Sequence, residues 1–346
     1  MNFLTNFIFL IFSFLTFLTL IFNNIKEAKY LILFDKKNFV DNRCKIYFTR
    51  KDLNRKNLYF CRCFNLKIGW KFYLNFKNLI FINSFFYFFG SKSHYIIYKL
   101  LNLTRIEKIQ TIDDYRYVEF FSQISKGTKI KCLGYMHGRF SKHLSNQKNL
   151  FKYNFDTYFV WSKYFKEKII KLNKHYNEKN VFIKKPAYIK RLSSNKTKVT
   201  NIRKTQILYI EEKSVPFYTF KEVYSLIKNN NKLRIIYKFR PNESIDIKKK
   251  NFLINNKIKF FHKKNIFNIY KSENIKIIFA TNSTLVIFAP LFGIFPVSLK
   301  SKYVLKDYIQ DKLIFFLDKK KNFNLEIFKT LKKKKQLNKM RRLIWN

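Results

Sequence analysis

Short apolar runs alternate with helix-sized segments along most of the chain. In the second half, strand-sized runs cover residues 206–210, 233–237, 275–280 and 295–299. A helix-like pattern at 217–227 separates the first two runs, and an apolar, helix-sized segment at 285–292 follows the third. This alternation is typical of β/α units around a parallel sheet.

The first half shows the same alternation. Predicted strands cover residues 29–35, 44–49, 78–82, 106–112, 129–133, 155–161 and 180–183. Predicted helices cover residues 94–103, 115–125 and 163–172. The pattern therefore predicts an α/β protein with two domains of this kind.

Composition shifts set the predicted boundaries. A polar, basic stretch with Pro186 and the pair Ser193-Ser194 lies between the two halves and is typical of a linker. The predicted parts are a hydrophobic helix at 1–24, an N-terminal domain at 25–190, a linker at 191–204, a C-terminal domain at 205–318 and a basic tail at 319–346.

The first 22 residues contain sixteen apolar side chains and no charge. Their length is about that of a bilayer span. Three interpretations stay open: a membrane anchor, a helix lying in the membrane interface, and a buried core helix. Lys26, Lys29, Lys36 and Lys37 follow, which places that side of the membrane in the cytoplasm by the positive-inside rule.

The net charge of the chain limits the classes of partner that it can bind. The chain has 71 Lys and Arg against 21 Asp and Glu, a net charge of +50, while a hydrophobic content of 47% excludes a disordered chain. A protein with this positive charge is expected to bind anionic membranes, polyphosphates or nucleic acid. The positive charge is spread along the whole chain, which argues against a concentrated nucleic-acid face. The four cysteines lack the paired spacing of a zinc site, so we expect no metal.

Two polar clusters follow predicted strands of the second half, at 238–243 and 281–284. Ligands of parallel sheets bind at the carboxyl ends of the strands. Lys238 and Arg240 suit phosphate oxygens, and Ser283 and Thr284 stand where a helix begins, which favours an anion. Each feature alone also fits a solvated side chain or an ordinary helix cap.

In the first half, the heptapeptide 134–140 follows a predicted strand. It contains His137, Gly138 and Arg139. A histidine exchanges protons near neutral pH, and an arginine can hold a carboxylate or a phosphate. His137 is therefore the candidate general base, although a loop histidine without a role also fits the pattern.

Four short motifs occur in a recognisable order. They are Tyr135-Met-His-Gly-Arg139, Asp156-Thr-Tyr-Phe-Val-Trp-Ser162, Ile236-Tyr-Lys-Phe-Arg-Pro-Asn-Glu243, and Asn282-Ser-Thr284 followed by Gly-Ile-Phe-Pro296. The chain thereby resembles bacterial surface-carbohydrate glycosyltransferases of the GT-B type. That group includes capsule polysialyltransferases and CDP-glycerol glycerophosphotransferases.

The resemblance implies a fold, a reaction and a set of residues. It implies two Rossmann-like domains facing a cleft, with His137 as base. It implies a donor site with these matching residues: Gly138, Arg139, Lys238, Arg240, Pro241, Glu243, Asn282, Ser283 and Thr284. One departure is Lys184-Lys-Pro186, where relatives often carry glycine before the proline.

The expected function is sugar transfer from a nucleotide donor to a growing cell-surface polysaccharide or lipopolysaccharide. The expected partners are the nucleotide sugar, a glycan or lipid-linked acceptor and the cytoplasmic face of the inner membrane, with no cofactor and no nucleic acid. The alternatives are a polyol-phosphate (glycerophosphate) transferase of the same fold, and a non-catalytic basic protein that binds membrane or RNA.

Overall fold

The computed structural model describes residues 3–33, 53, 56–114, 116–138, 148–186, 204–213, 215–240, 244–299, 304–317 and 322–345. The chain divides into two compact units, Met1–Ile189 and Lys190–Asn346. Each unit contains one sheet in which all paired strands of the described residues run parallel.

Unit 1 contains a seven-stranded sheet with the strand order β3-β2-β1-β4-β5-β6-β7. Its described elements are α1 (Phe3–Phe22), β1 (Glu27–Leu33), β2 (Leu58–Cys63), α2 (Leu66–Phe76), β3 (Leu79–Phe81), α3 (Ile82–Phe89), α4 (Ser93–Leu101), β4 (Lys108–Ile112), α5 (Val118–Gly127), β5 (Lys131–Tyr135), α6 (Lys148–Lys152), β6 (Thr157–Val160), α7 (Lys163–Leu172) and β7 (Val181–Ile183).

Unit 2 contains a six-stranded sheet with the strand order β10-β9-β8-β11-β12-β13. Its described elements are β8 (Thr205–Ile210), α8 (Phe217–Ile227), β9 (Leu233–Lys238), α9 (Ile247–Asn255), β10 (Lys259–Phe261), α10 (Ile266–Ser272), β11 (Ile275–Phe279), α11 (Leu285–Phe288), β12 (Phe295–Leu299), α12 (Lys306–Gln310), β13 (Phe315–Leu317), α13 (Phe323–Lys332) and α14 (Lys334–Trp345).

Both sheets have the doubly wound strand order of a Rossmann fold, in which strands are added first on one side of the first strand and then on its other side. This reversal of strand order lies between β1 and β4 in unit 1, and between β8 and β11 in unit 2. Sheets of this order bind ligands at the carboxyl ends of the strands next to the reversal. The predicted α/β class, with two Rossmann-like units and an N-terminal apolar helix, is confirmed.

Most strand residues are apolar because both faces of a parallel sheet are covered by helices. In unit 2 the core includes Ile207 on β8, Ile277 on β11 and Phe220 on α8, all with 0% exposure. The predicted helices 163–172 and 217–227 and the predicted strand 295–299 are confirmed with identical bounds.

The structure shows how residues 70–89 and the basic tail fold, and two other predicted regions lie outside the described residues. Residues 70–89 form parts of two helices and a strand, and Asn65 caps α2 by accepting from the Ile68 N–H. The basic tail is folded, because α13 and α14 pack on unit 2 and Trp345 Nε1–H donates to the Ile287 carbonyl at 3.0 Å. The predicted strand 44–49 and residues 191–203 of the predicted linker lie outside the described residues.

Candidate functional site

A cavity of about 600 Å³ opens at the carboxyl edge of the unit 2 sheet. Its lining consists of Glu211, Glu212, Lys213, Arg240, Asn282, Ser283 and Thr284. The lining combines two cations, two carboxylates and three neutral hydrogen-bonding side chains.

Three neighbouring strands carry these residues. Glu211 follows β8, Arg240 follows β9 by two residues, and Asn282 follows β11 by three. β8 pairs with both other strands, and Ile210 is in register with Lys238. The cavity therefore lies at the reversal of strand order, where the fold favours a ligand.

Glu212 holds the loop after β11 in place. Its Oε2 accepts from the Thr281 backbone N–H at 2.8 Å and also from the Thr281 hydroxyl, and its Oε1 accepts from the Asn282 N–H at 2.9 Å. Glu212 is 7% exposed, so these donors satisfy a carboxylate that is almost withdrawn from water. This residue positions the polar loop and does not present a bare charge to the cavity.

Glu211 does the same for the loop after β9. Its Oε2 accepts from the Arg240 N–H at 3.0 Å, and its Oε1 pairs with the Lys249 ammonium at 2.6 Å. The carboxylate thereby fixes the backbone from which the Arg240 side chain projects. Arg240 is half-buried and lines the cavity, as a phosphate-binding guanidinium would.

Lys238 lies in a different environment from Arg240. It is 6% exposed, and its ammonium donates to the Phe239 carbonyl at 2.7 Å and to the His262 carbonyl. Burial lowers the pKa of Lys238 to about 8, while the nearby Glu211 carboxylate opposes that fall. Both cations were predicted to bind phosphate, and of the two only Arg240 is among the described residues that line the cavity.

Ser283 and Thr284 both line the cavity at the start of α11. The Ser283 Oγ accepts from the Leu285 N–H at 3.2 Å, and the Ser283 carbonyl accepts from the Tyr308 hydroxyl at 2.9 Å. The apolar segment 285–292 is a single α-helical turn followed by a 3-10 turn, Ala289–Phe292. Pro241 and Glu243 lie outside the described residues.

In unit 1, His137 pairs with a buried aspartate. Asp113 Oδ1 accepts from the His137 backbone N–H at 2.9 Å and contacts the imidazole Nδ1. The side chain of Asp113 is 3% exposed and that of His137 is 19% exposed. A carboxylate on Nδ1 fixes the ring orientation and directs proton exchange to Nε2, as in the histidine–aspartate pair of hydrolases.

The rest of the Asp113 carboxylate is also engaged. Its Oδ2 accepts from the Tyr158 hydroxyl at 2.6 Å. Burial, together with the Asp113 charge, holds the pKa of Tyr158 well above its ordinary value, so this hydroxyl remains a donor. Asp113 follows β4, His137 follows β5 and Tyr158 lies on β6, so three neighbouring strands build the pair.

The backbone before His137 is held on both sides. The Met136 N–H donates to the Phe159 carbonyl at 2.9 Å, and the Met136 carbonyl accepts from the Trp161 indole N–H at 2.7 Å. Gly138 follows in a half-buried position, while Arg139 lies outside the described residues. Gly134 is needed for packing, because a Cβ there would overlap the ring of Phe155.

A second acidic residue follows β4 and was not singled out by the sequence. Asp114 Oδ2 accepts from the Tyr30 hydroxyl at 3.1 Å and lies 3.4 Å from the Arg62 guanidinium. Both members of this ion pair are nearly buried. The signal in the sequence was two consecutive aspartates directly after a predicted strand, at the edge where ligands bind.

Comparison with solved structures finds the same two-unit fold at low identity. A Listeria monocytogenes protein, provisionally assigned as a UDP-N-acetylglucosamine 2-epimerase, has 12% identity and a TM-score of 0.60 over 94% of this chain and 93% of its own. The Neisseria meningitidis UDP-GlcNAc 2-epimerase bound to UDP-GlcNAc has 9% identity and a TM-score of 0.59, covering 91% and 94%. Anabaena Alr3699/HepE in complex with UDP has 10% identity and a TM-score of 0.54, covering 92% and 94%.

These likenesses concern the fold. They confirm the predicted GT-B-like class. No protein-family model matches the chain, and a search of curated protein sequences finds no match.

Proposed function

We propose that this protein is a nucleotide-sugar-dependent glycosyltransferase that extends a cell-surface polysaccharide or lipopolysaccharide. The observation that carries the proposal is the Asp113–His137 pair, an oriented imidazole at the ligand-binding edge of the unit 1 sheet. The cavity in unit 2 supplies the second requirement, a place for a phosphorylated donor.

The donor step is assigned to unit 2. The Arg240 guanidinium is suited to two phosphate oxygens. Asn282, Ser283 and Thr284, which follow β11 at the same edge of the sheet, add neutral hydrogen-bonding groups. Glu211 and Glu212 accept from backbone N–H groups and so hold both loops in place before the donor arrives. Preorganised donors of this kind stabilise the negative charge that develops on a leaving nucleoside diphosphate. Two of the three reported neighbours are structures with bound UDP or UDP-GlcNAc, which supports a uridine nucleotide.

The acceptor step is assigned to unit 1. As the bond between the sugar C1 and the phosphate oxygen breaks, an acceptor hydroxyl oxygen bonds to C1 and its proton passes to His137 Nε2. Asp113 stabilises the resulting imidazolium from the Nδ1 side. The nucleoside diphosphate leaves with the electrons of the broken bond.

A 2-epimerase is the second candidate, because two of the reported neighbours carry that assignment. Epimerisation at C2 removes a proton from carbon and needs no acceptor. The oriented histidine favours transfer, since an imidazole paired with a carboxylate is the arrangement that deprotonates a hydroxyl group.

The test begins with a thermal-shift panel of UDP, CMP, CDP and GDP on the full-length protein. The sugar form of the nucleotide that binds is then incubated with and without surface-glycan acceptor, and both free nucleotide and sugar configuration are measured. Acceptor-dependent nucleotide release supports transfer. Conversion of the sugar to its 2-epimer without acceptor establishes the epimerase and overturns the transferase proposal.

A further inference from the structure

Helix α1 is the only helix among the described residues that is long and apolar enough to cross a membrane by length and composition. Its two faces differ. One face is polar and aromatic and lies against unit 1, whereas the other faces outward and is apolar apart from Thr19. This division decides how the helix can meet a bilayer.

The inward face completes the sheet. Among the strands of the described residues, β3 lies at the edge of its sheet, with no described strand on its outer side. Ser13 Oγ accepts from the Phe81 N–H at 2.9 Å, and Thr16 Oγ1 accepts from the Leu79 N–H at 3.3 Å. The Thr16 hydroxyl also lies 3.0 Å from the Lys77 carbonyl oxygen. Two hydroxyls, three residues apart on one helix face, therefore cover an edge strand that would otherwise be exposed.

Aromatic packing reinforces this contact. The Phe9 ring stacks on Phe81 with centroids 4.1 Å apart, and the Phe12 ring stacks on Tyr73 at 4.2 Å. Phe9 has 0% exposure, and its ring occupies the space that a side chain at Gly69 would need. A helix withdrawn from unit 1 to cross a bilayer would lose all of these contacts and uncover β3.

The outward face is an apolar stripe with one polar side chain, Thr19, whose hydroxyl donates to the Thr16 carbonyl at 2.8 Å. Its apolar side chains have exposures from 38% to 88%. They are Phe3, Leu4, Phe7, Ile11, Phe14, Leu15, Leu18, Ile21 and Phe22. With about 200 Å² for each large apolar side chain when fully exposed, the stripe presents on the order of 900 Å² to its surroundings. That exceeds the few hundred Å² typical of the largest apolar patch on a soluble monomer.

Charge around the stripe identifies what covers it. Trp70 lies beside α1, with its ring 5.2 Å from that of Phe12, and is 47% exposed. Lys67, Lys71 and Lys77 on and after α2 are exposed, and no Asp or Glu occurs between Asp52 and Glu107. An interfacial tryptophan with lysines beside an apolar helix face suits an anionic lipid surface. A second copy of the chain in a two-fold contact would instead bring the same lysines together.

We propose that α1 lies in the plane of an anionic membrane leaflet, with its outward stripe among the acyl chains and its inward face docked on β3, and that it does not span the bilayer. In a bacterial cell the matching surface is the cytoplasmic face of the inner membrane, where the potential is negative. The proposal concerns how the protein binds the membrane and does not depend on the reaction it catalyses.

The first experiment measures binding of the full-length protein to vesicles of phosphatidylcholine, alone or mixed with phosphatidylglycerol. Since each lysine near an anionic surface contributes about 1 kcal/mol, three lysines predict binding about 150-fold tighter to the mixed vesicles. Trp161 and Trp345 are buried at 1% and 3% exposure, so a blue shift on binding and quenching by brominated lipid report on Trp70. Trp70→Phe serves as the spectroscopic blank.

The double variant Ile11→Glu/Leu18→Glu places two charges on the outward stripe, about two helical turns apart. We expect it to retain the wild-type melting temperature and to lose vesicle binding by at least about a hundredfold, since charges are costly among acyl chains. The matched control is Ile247→Glu/Ile254→Glu, which makes the same change at the same spacing on exposed positions of α9. The control should bind vesicles as the wild type does.

A topology experiment separates lying from spanning. An epitope tag at the N-terminus is exposed to protease in sealed, inverted inner-membrane vesicles. A helix in the plane keeps the tag on the same side as the folded units, so the tag is digested. A protected tag, vesicle binding that survives Ile11→Glu/Leu18→Glu, or a dimer in solution that this variant dissolves would each overturn the proposal.

Discussion

The carboxylate of Asp113 accepts from the backbone N–H of His137 and contacts the imidazole Nδ1 of the same residue. The two residues are 24 positions apart in the chain and meet because β4 and β5 are paired in parallel, with Ile112 opposite Tyr135. Each strand therefore ends at the same level of the sheet. The backbone contact fixes the distance between the two residues, and the Nδ1 contact fixes the orientation of the ring.

The first prediction concerns Asp113→Asn. The amide keeps the shape of the side chain but cannot stabilise the imidazolium, so we expect turnover to fall by about 10²–10⁴-fold, the range found for general-base catalysis. Nucleotide affinity should not change, because the nucleotide is assigned to unit 2. The measurement is the transfer rate with saturating donor, beside nucleotide binding by calorimetry.

Two comparisons show whether Asp113 acts through His137. The double variant Asp113→Asn/His137→Ala should be no slower than His137→Ala alone, since the aspartate has no route to the substrate without the ring. Asp156→Asn is the matched control, because Asp156 accepts from the Cys132 N–H at 2.7 Å and from Ser125 at 2.5 Å within the same sheet. It should lower stability and leave turnover unchanged. Full activity in Asp113→Asn would remove the base assignment.

The second prediction concerns Arg240→Ala. Loss of a charge-assisted contact to phosphate costs about 1.5–3 kcal/mol, so nucleotide affinity should fall by about tenfold to 150-fold. The melting temperature should change little, because Arg240 is half-buried at the rim of the cavity. Calorimetric titration with the nucleotide measures the change.

Arg234→Ala provides the control for that variant. Arg234 lies on the same strand near its amino end and is exposed, so its loss should leave both affinity and stability unaltered. Equal affinity in Arg240→Ala and Arg234→Ala would show that the cavity does not bind the phosphates through Arg240.

The third prediction concerns Glu212→Gln. One oxygen of the wild-type carboxylate faces two donors on Thr281 and the other faces the Asn282 N–H. Gln has a single acceptor oxygen, so its NH₂ group must face an N–H or a hydroxyl, and a buried donor loses its partner. We expect about 1–3 kcal/mol lower free energy of unfolding, together with weaker nucleotide binding.

Urea titration and nucleotide calorimetry measure the two effects of Glu212→Gln. Glu222→Gln, on the half-buried side of α8, is the comparison and should leave nucleotide affinity unchanged. If Glu212→Gln binds nucleotide as tightly as the wild type, the loop after β11 takes no part in binding.

The fold could be predicted from the sequence where periodicity and length agree. The helices at 163–172 and 217–227 have apolar positions at helical spacing and clear polar ends, and their bounds are those of the structure. In the aromatic segment 70–89 only the strand at 78–82 was predicted; the helices on either side of it were not, because phenylalanine and tyrosine are abundant on every face there. Gly69 has a packing reason that only the Phe9 ring makes visible.

The site could be located from the sequence, but its partners could not. Polar residues after two predicted strands marked the edge of the unit 2 sheet, and Arg240, Asn282, Ser283 and Thr284 do line the cavity there. Asp113 was missed because its role depends on the register of β4 and β5. Lys238 was placed with the phosphate ligands because its residue type suits them, whereas its burial under two carbonyl groups is a property of the folded chain.

The fourth prediction concerns the pH dependence of stability that Lys238 contributes. Burial lowers its folded pKa to about 8, below the value of about 10.4 for an unfolded lysine. As the pH rises, the folded protein therefore releases this proton first. Between about pH 8 and about pH 10.4 the unfolded chain binds more protons, so the free energy of unfolding rises with pH through that window. The two pKa values bound this contribution at about 3 kcal/mol.

Buried tyrosines lower the free energy of unfolding at higher pH, which is opposite to the effect of Lys238. Burial raises the pKa of Tyr209 and Tyr237, so above about pH 10 the unfolded chain loses protons that the folded chain keeps, and stability falls. The comparison that isolates Lys238 is therefore the difference between the wild type and Lys238→Met, measured by urea titration from about pH 7, below the folded pKa, to about pH 10, near the unfolded pKa. At pH 7 Lys238→Met loses the carbonyl contacts but also removes the buried charge, so within this range the variant is most stable relative to the wild type at pH 7. As the pH rises, the free energy of unfolding of the wild type should increase relative to that of the variant, because only the wild type has a buried ammonium that can lose its proton. A difference that stays constant across this range would mean that the buried ammonium is not destabilised, and that the Phe239 and His262 carbonyls fully replace its hydration.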